Sequence, residues 1–423
     1  MLQVSYIRDN REQVLERLAV KNFKQPQLVD EIIELDEKRR QTQNQMDSVS
    51  AQANSAAKQI GELMRAGKKD EAETIKANTG AWKEEIKTLG DALAATEEEL
   101  QQKIVLLPNL PHSSVPKGAT PEENEVVLEN GAKPSLYEGA LPHWELATKY
   151  NLIDFELGVK ITGAGFPVYK GKGAKLQRAL IAYFLDEAEK AGYSEVMLPL
   201  LVNEASGFGT GQLPDKEGQM YFVGQDNLFL IPTAEVPITN LYRDVILKAD
   251  ELPVKNCGYT PCFRREAGSY GAHVRGLNRL HQFDKVEIVQ VVHPDTSYEV
   301  LEGMSAHVQG LLKNLGLPYR VLRLCGGDMG FTAALTYDME TWSAAQQRWL
   351  EVSSVSNFET FQANRLKLRF RNAEGKTQLA HTLNGSALAL PRIVATLLEN
   401  NQTEDGIKIP EVLVPYTKFE WIN

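Results

Sequence analysis

Residues 263–287 read FRREAGSYGAHVRGLNRLHQFDKVE, and this stretch says most about the fold. Two β-like segments flank a glycine-rich loop, so a strand leading in and a strand returning would put alternate side chains on one surface. We expect Arg264, Glu266, Arg279, Phe283 and Glu287 to converge there. Such a set can bind a nucleotide without a P-loop, because guanidinium groups bind phosphates and an aromatic ring stacks on a base. Taken alone, the segment also fits an exposed hairpin with solvated charges.

The composition is that of a globular chain with more than one domain. Its 423 residues exceed what a single hydrophobic core usually serves, so we expect two domains. The sequence has no apolar run of about eighteen residues and no basic-then-apolar start, which argues against a membrane span or an export signal. A cytoplasmic location is therefore the expectation.

The charge balance and the cysteines narrow the range of partners. A formal net charge of -10 disfavours indiscriminate electrostatic binding, so we expect no DNA partner, and any RNA contact must be local and shaped. Cys257, Cys262 and Cys325 form no CxxC pair and have no histidine at ligand spacing nearby. This pattern predicts no zinc site.

Residues 28–107 carry an apolar repeat whose members are alternately four and three residues apart. The repeat runs from Leu28 to Leu63 and, after the polar stretch 65–70, resumes from Ala72 to Leu107. Such heptads are typical of coiled-coil helices, so we predict two helices that fold back on each other as a long antiparallel arm. Each helix would be roughly 55 Å long at about 1.5 Å per residue.

The seam of this repeat is weak. It includes polar and small residues, and each glycine within the two helices costs about 1 kcal/mol, so we expect an arm that can bend. A plain dimerisation coiled coil would carry the same repeat. The length of the repeat and the basic residues at its turn, Arg65, Lys68 and Lys69, instead favour an arm that reaches a partner.

Prolines mark the end of the arm and predict the domain boundaries. Pro108 and Pro111 end the second helix, because proline removes a backbone donor and restricts the residue before it. Further prolines up to residue 134 predict a linker at 111–135, between an N-terminal domain at 1–110 and a C-terminal domain at 136–423.

The C-terminal domain reads as α+β. Helical patterns alternate with short β-rich runs such as 286–292, without the repeated strand-helix units and glycine-rich phosphate turns of a doubly wound fold. We therefore expect an antiparallel sheet with helices packed on it.

Three further segments combine polar and apolar residues in notable patterns. They are IPTAE at 231–235, EVSS at 351–354 and HTLNGSALALPR at 381–392. Each also has a purely structural explanation, as a helix start, the end of a strand and an apolar helix face respectively.

Together, the four segments resemble the bacterial-type seryl-tRNA synthetase family, which belongs to the class II aminoacyl-tRNA synthetases. Residues 263–287 are similar to motif 2 in the form FRxEAGSYG...RGLxRxHQFxKVE, and the other three segments fit the family in the same order along the chain. The departures are Arg265, where the family often has a small polar residue, and Ala272 and His273 in the loop. The resemblance covers essentially the whole chain. It implies a class II antiparallel sheet flanked by helices, together with the N-terminal coiled-coil arm.

The resemblance implies two adjoining sites. The ATP site would consist of Arg264, Arg265, Glu266, Phe283, Glu351, Val352, Ser353, Ser354 and Arg392. The serine site would consist of Thr233, Ala234, Glu235, Arg264, Glu287, Asn384 and Ser386. The catalytic residues would be Arg264, Arg279 and Arg392, and the ligands of an Mg²⁺ bound with ATP would be Glu351 and Ser354.

The resemblance also implies a role for each nucleotide contact. Arg264 would hold the serine carboxylate and the ATP α-phosphate, Glu266 would contact the adenine amino group, and Phe283 would stack beneath adenine. Arg392 would cover the other adenine face and reach the γ-phosphate, with Arg279 assisting at the phosphate end.

Partners follow from the same resemblance. In the family the arm binds the long variable arm of tRNA(Ser) by shape and backbone, here through a turn that includes Arg65, Lys68 and Lys69. A tRNA(Sec) would be a further substrate wherever it exists. Residues 171–199 resemble motif 1, which builds the dimer interface in this class, so a homodimer is implied.

Three alternatives remain open from the sequence. An enzyme of this class that loads an amino acid onto a carrier protein would lack the long arm. A non-catalytic scaffold would have lost parts of the nucleotide site, whereas Arg264, Phe283 and Arg392 are all present. A class II enzyme for another amino acid is the nearest rival, and the segments HQFxKVE and TLNGS favour serine.

Overall fold

The computed structural model describes residues 1–215, 218–266 and 274–423. These residues form two compact units, one made of residues 1–19 and 23–108 and the other of residues 20–22 and 109–423. The predicted boundaries at residues 110 and 135 stay predictions. The two loop departures Ala272 and His273 lie outside the described residues.

The first unit consists of helices joined by short turns. The helices are α1 (Val4–Asp9), α2 (Arg11–Val20), α3 (Leu28–Arg65), α4 (Lys69–Ala77) and α5 (Thr79–Ile104). Lys103 near the end of α5 forms a 2.6 Å ion pair with Glu31 near the start of α3, so these two helices run antiparallel. The predicted coiled-coil arm is confirmed.

The heptad repeat marks the face on which α3 and α5 pack. Its members are buried or half-buried, and they are best covered near the base of the arm, where Ile32, Leu100 and Ile104 are buried. Towards the turn, Ile60 and Leu63 are only half-buried. The large apolar residues of the repeat are therefore less well covered near the turn than at the base, although the small Ala72 beyond the turn is buried.

The returning half of the arm differs from the prediction of one continuous helix. It breaks at Asn78 into α4 and α5, and the Thr79 hydroxyl donates a 2.7 Å hydrogen bond to the Lys76 carbonyl. Asn78, Thr79 and Gly80 are three consecutive residues of poor helix propensity, which explains the position of the break.

The second unit contains helices and strands in mixed order. Its helices are α6 (His143–Lys149), α7 (Phe155–Ile161), α8 (Gly171–Lys190), α9 (Glu204–Thr210), α10 (Glu235–Asn240), α11 (Ser297–Asn314), α12 (Thr360–Leu366), α13 (Leu390–Asn400) and α14 (Val414–Thr417). Its strands are β1 (Glu125–Asn130), β2 (Ile153–Asp154), β3 (Val168–Tyr169), β4 (Ser194–Glu195), β5 (Leu201–Asn203), β6 (Phe222–Val223), β7 (Leu228–Leu230), β8 (Ile246–Lys248), β9 (Val254–Phe263), β10 (Gln282–Val292), β11 (Tyr319–Arg323), β12 (Leu335–Ser343), β13 (Arg348–Asn357), β14 (Arg369–Arg371), β15 (Thr377–Leu379), β16 (His381–Ala389), β17 (Gln402–Thr403), β18 (Gly406–Lys408) and β19 (Trp421–Ile422).

One large sheet dominates this unit. In the part of the chain that the structure describes, its strand order is β1-β11-β12-β13-β16-β10-β9-β4, and every neighbouring pair is antiparallel except β4 with β9. This arrangement confirms the α+β fold. Strand β1 lies within the interval predicted as a linker, and it forms the edge of the sheet by pairing with β11.

Side chains along β10 point alternately towards the core and towards the opposite face of the sheet. Val286 and Ile288 are buried in the main core, against which α8 and α13 pack. Phe283, Lys285 and Glu287 project from the opposite face, because successive side chains of a strand point to opposite sides. The central strands therefore carry apolar residues towards the helices and polar residues towards the other face.

Candidate functional site

The predicted strand-loop-strand forms at one end of the main sheet. Strands β9 and β10 pair antiparallel, with Phe283 opposite Cys262 and Glu287 opposite Gly258. Arg264 follows the end of β9, and its backbone N–H donates to the His281 carbonyl at 2.9 Å. The main-chain contact continues the hairpin and fixes Arg264 beside β10.

The polar residues predicted to bind serine lie together beneath this hairpin. Glu287 accepts a 3.1 Å hydrogen bond from the Asn384 side-chain amide and forms a 2.6 Å ion pair with Lys285. The Lys285 ammonium also donates to the Thr233 hydroxyl at 2.8 Å. Ser386 lies opposite Glu287 on the neighbouring strand β16. The structure thus brings three separate segments of the chain to one buried polar pocket.

A second carboxyl group completes the pocket. Glu235 begins α10, is 7% exposed, and accepts a 2.6 Å hydrogen bond from the Gln362 amide. Burial and the nearby Glu287 carboxylate raise the pKa of Glu235 to about 7. An ammonium group of a ligand would favour the ionised form of this second carboxyl group, so the pocket suits a ligand that carries one.

The Arg264 side chain lies between the pocket and the aromatic ring of Phe283. Its Nε donates to the Pro232 carbonyl at 3.1 Å, and its guanidinium carbon lies 5.2 Å from the centre of the Phe283 ring. The hydrogen bond to residue 232 holds the guanidinium next to the IPTAE segment. A single arginine can therefore face both the pocket and the neighbouring nucleotide surface.

Glu266 and Arg279, which follow Arg264 in the sequence, form an ion pair. Arg279 Nε lies 2.5 Å from Glu266 Oε2, and the Glu266 backbone N–H donates to the Gln219 side chain at 3.1 Å. Arg265 is exposed, and its guanidinium lies 5.4 Å from the centre of the Tyr221 ring. The Arg265 side chain is therefore directed at the Tyr221 ring.

Arg392 connects the start of α13 to the strand that carries Glu351. Its Nε donates to the Asn278 carbonyl at 3.0 Å, and one terminal nitrogen donates to the Glu351 carbonyl at 2.7 Å. The same nitrogen lies 3.6 Å from the Glu351 carboxylate. These contacts hold the guanidinium between the Glu351 and Asn278 backbones. Arg279 is the residue that follows Asn278 in the sequence.

Three further predicted site residues, Val352, Ser353 and Ala234, are buried. Val352 is buried in the main core, and the Ser353 hydroxyl donates to the Ser386 carbonyl at 2.6 Å. Ala234 is buried within the packing of α10 against the sheet. Their side chains therefore shape the site from behind rather than line its open surface.

Asp338 is a site residue that the sequence did not reveal. It pairs across β12 and β13 with Ser354, and its Oδ1 is buried without a hydrogen-bond partner among the described residues. Burial and the nearby Glu351 carboxylate raise the pKa of Asp338 well above its ordinary value. Together, Asp338, Glu351 and Ser354 present oxygen atoms at one place.

Lys285 and Gln362 were also missed. Lys285 precedes Glu287 by two residues on a strand, and this spacing alone places both on one face, so the sequence held a usable signal. Gln362 lies on α12, far from Glu235 in sequence, and only the tertiary fold brings the two together.

The basic residues predicted to contact tRNA lie at the turn of the arm. Arg65 ends α3, Lys69 begins α4, and all three are exposed. Lys68 forms a 3.0 Å ion pair with Glu71.

Two kinds of feature are absent from the described residues. No group of three or more His, Cys, Asp or Glu side chains is arranged to hold a metal ion in residues 1–215, 218–266 and 274–423. Within the same ranges, no helix is long and apolar enough to cross a membrane.

Comparison with protein families assigns both parts of the chain. Residues 1–111 match the seryl-tRNA synthetase N-terminal domain. Residues 221–401 match the tRNA synthetase class II core domain shared by the glycine, histidine, proline, serine and threonine enzymes.

Individual relatives match over the full length. The serine-tRNA ligase of Salinibacter ruber is 53% identical over 425 residues, which cover 100% of this chain and 99% of the relative. The solved structure of seryl-tRNA synthetase from Pyrococcus horikoshii complexed with ATP has a TM-score of 0.93 at 32% identity and covers 100% of this chain and 99% of that one. The serine-tRNA ligase of Naegleria fowleri in complex with AMP has a TM-score of 0.89 at 26% identity, with coverage of 100% and 99%.

These matches identify serine as the amino acid, rather than a carrier-protein ligase or another specificity. The chain belongs to the seryl-tRNA synthetase family of class II ligases, and it activates serine with ATP and transfers it to tRNA.

Proposed function

We propose that the buried pocket of Thr233, Glu235, Lys285, Glu287 and Asn384 selects serine and that Arg264 joins it to ATP. The observation that carries this proposal is the hydrogen-bonded series from Thr233 through Lys285 and Glu287 to Asn384. In the proposed complex, the Glu235 carboxylate binds the serine ammonium group, and Glu287 accepts a hydrogen bond from the serine hydroxyl. Alanine and glycine leave that acceptor without a partner, so they bind less well.

The first reaction needs little beyond positioning. A serine carboxylate oxygen attacks the α-phosphorus of ATP, a phosphorus–oxygen bond forms, and the bond to pyrophosphate breaks. The carboxylate is already ionised at neutral pH, so no general base is required. Arg264 aligns the carboxylate with the α-phosphate, and Arg279 and Arg392 neutralise the departing phosphates.

We assign the nucleotide contacts in the same way. Phe283 lies beneath adenine, Arg392 covers its other face, and Glu266 contacts the exocyclic amino group after exchanging its partner Arg279. The half-buried Phe283 ring with a guanidinium nearby supports this assignment. In the second reaction, a terminal ribose hydroxyl of tRNA attacks the carbonyl carbon of seryl-adenylate and AMP leaves.

The donors near Arg392 fit Mg²⁺. Magnesium prefers oxygen ligands, and Glu351 and Ser354 offer a carboxylate and a hydroxyl beside the unpartnered Oδ1 of Asp338. Glu351 and Ser354 would hold the ion, which, when bound, neutralises phosphate charge. Activity without zinc stays a prediction.

We further propose a homodimer that charges tRNA(Ser) in the cytoplasm, where its substrates are found. Residues 171–199 include α8 and β4, and near them Met197 is 94% exposed and Ile161 72% exposed. Large exposed apolar side chains are typical of a surface covered by a partner. The arm would bind the tRNA, and tRNA(Sec) would be a second substrate wherever it occurs.

Glu287→Gln tests the serine pocket. The amide keeps the shape but loses the charge that pairs with Lys285, so we expect kcat/KM for serine in pyrophosphate exchange to fall about a hundredfold. The dissociation constant for ATP should change less than about twofold. The exposed Glu129→Gln is the matched control. Unchanged serine activation in Glu287→Gln would contradict the proposed pocket.

A further inference from the structure

A fully buried polar network lies behind Arg392, at the far end of α13. Its centre is Glu399, whose side chain is 0% exposed and whose Oε1 lies 2.7 Å from Nδ1 of His143, which is also 0% exposed. None of the residues assigned to serine or ATP belongs to it. Burying a carboxylate costs free energy unless it is well hydrogen-bonded, so such a group calls for a specific explanation.

Glu399 is surrounded by donors. Its Oε1 accepts hydrogen bonds from the His143 backbone N–H at 3.0 Å, from His143 Nδ1 at 2.7 Å and from the Gln346 amide at 3.0 Å. Its Oε2 accepts one from the Ser343 hydroxyl. Burial raises the pKa of Glu399, but the contacts with His143 and Ser343 together outweigh it and leave the pKa below its ordinary value. Glu399 is therefore an ionised, fully partnered carboxylate.

His143 extends this network to the segment that follows the motif 2 loop. The Leu277 backbone N–H donates to His143 Nε2 at 2.9 Å. Because Nε2 accepts, the ring proton of a neutral His143 must lie on Nδ1, where it points at Glu399. The Glu399 carboxylate thus fixes the tautomer that can accept from Leu277.

Gly276 allows this close contact. Its φ is +67°, and a Cβ at this position would lie 2.3 Å from His143 Nε2. Both the positive φ and the short distance require glycine here. The backbone at 276–277 is therefore held directly against the His143 ring.

A second branch reaches the neighbouring residue. The Asn278 side-chain amide donates to Gln346 Oε1 at 2.9 Å, and Gln346 in turn donates to Glu399. Asn278 is 4% exposed. Its carbonyl is the acceptor for Arg392 Nε at 3.0 Å. The network therefore holds the Leu277 backbone N–H and the Asn278 side chain, on either side of the Asn278 backbone whose carbonyl accepts from Arg392.

We propose that His143 and Glu399 are positioning residues for ATP binding, acting through Leu277 and Asn278 to set the position of the Arg392 guanidinium. This inference rests on the proposed contact between Arg392 and ATP. The apolar packing around α13 would be satisfied by leucine at either position, whereas only the hydrogen-bonded network directs the Asn278 carbonyl towards Arg392.

A double-mutant cycle on ATP binding, measured by titration calorimetry with Mg²⁺ present, tests the proposal. We expect His143→Leu to weaken ATP binding about tenfold in the wild-type background and to have no further effect in an Arg392→Ala background. Serine affinity should stay within about twofold in each protein. His143→Gln, whose side-chain oxygen can accept from Leu277, should recover most of the lost ATP affinity.

Further variants separate positioning from stability. Gln346→Leu changes a half-buried residue and removes the Asn278 branch together with one donor to Glu399, but it leaves the contact between His143 and Leu277. It therefore tests the same coupling if His143→Leu folds poorly. Leu398→Ala, which removes a buried neighbour of Glu399, should lower the melting temperature without changing ATP affinity. A loss of ATP affinity that is equal in both backgrounds, or an equal loss of serine affinity, would overturn the proposal. Normal ATP binding by Arg392→Ala would overturn both the positioning proposal and the assigned role of Arg392. Weak ATP binding by Arg392→Ala together with normal ATP binding by His143→Leu would overturn the positioning proposal alone.

Discussion

At the scale of single residues, Glu235 illustrates that a group proposed to bind serine can lower the stability of the folded chain. Its pKa of about 7 reflects burial first and then repulsion from Glu287, with Lys285 and Arg264 acting in the opposite direction. Because the folded-state pKa lies above the unfolded value, the folded chain holds a proton that the unfolded chain releases. The stability that this proton provides is present at low pH and lost as the pH rises towards 7 and above.

Glu235→Gln should therefore stabilise the protein at pH 8 while abolishing serine binding. Removing a buried charge that is not neutralised raises the free energy of unfolding by as much as about 3 kcal/mol, with little gain at pH 4.5. Urea denaturation at the two pH values and serine titration measure both effects. A variant that is less stable at pH 8, or that binds serine normally, would show that Glu235 is not the ammonium acceptor.

At the scale of secondary-structure elements, the arm was predictable because its signal is local. The heptads from Leu28 onwards marked the packed face of α3 and α5 correctly, since periodicity depends only on neighbouring residues. The buried Asp36 was missed, although it pairs with Arg8, Arg39 and Arg40 at the base of the arm. Its contact with Arg8 requires α1 to lie beside α3, which no pattern in the sequence specifies.

Shortening the arm should separate the two reactions. The Met46 sulfur lies 4.0 Å from a Cβ built on Gly90, so a short glycine loop can join these positions and remove residues 47–89. We expect serine-dependent pyrophosphate exchange to stay within about twofold, while kcat/KM for tRNA(Ser) charging falls about a hundredfold, which corresponds to roughly 3 kcal/mol of lost contact. Replacing Arg65, Lys68 and Lys69 by alanine in the full-length arm tests the tip alone. Normal tRNA(Ser) charging by the shortened protein would show that the arm is not needed for tRNA recognition.

At the scale of the whole molecule, family and fold were within reach of the sequence, whereas the supporting contacts were not. The stretch 263–287 and three shorter segments identified the class of enzyme, and the full-length relatives confirm it. Gln362 and Glu399 stayed hidden, because each is hydrogen-bonded to a residue far away in sequence. Asp338 stayed hidden because its place opposite Ser354 depends on the register between β12 and β13. The individual roles of the ATP and serine contacts stay predictions.

The most direct test of the central claim is amino-acid-dependent exchange between pyrophosphate and ATP, run with serine, threonine, alanine, glycine and cysteine. Selection of serine by the Glu235 and Glu287 pocket predicts rapid exchange with serine and a rate lower by at least about a hundredfold with alanine or glycine. Exchange that is equal for serine and alanine, or absent with all five amino acids, would contradict the account.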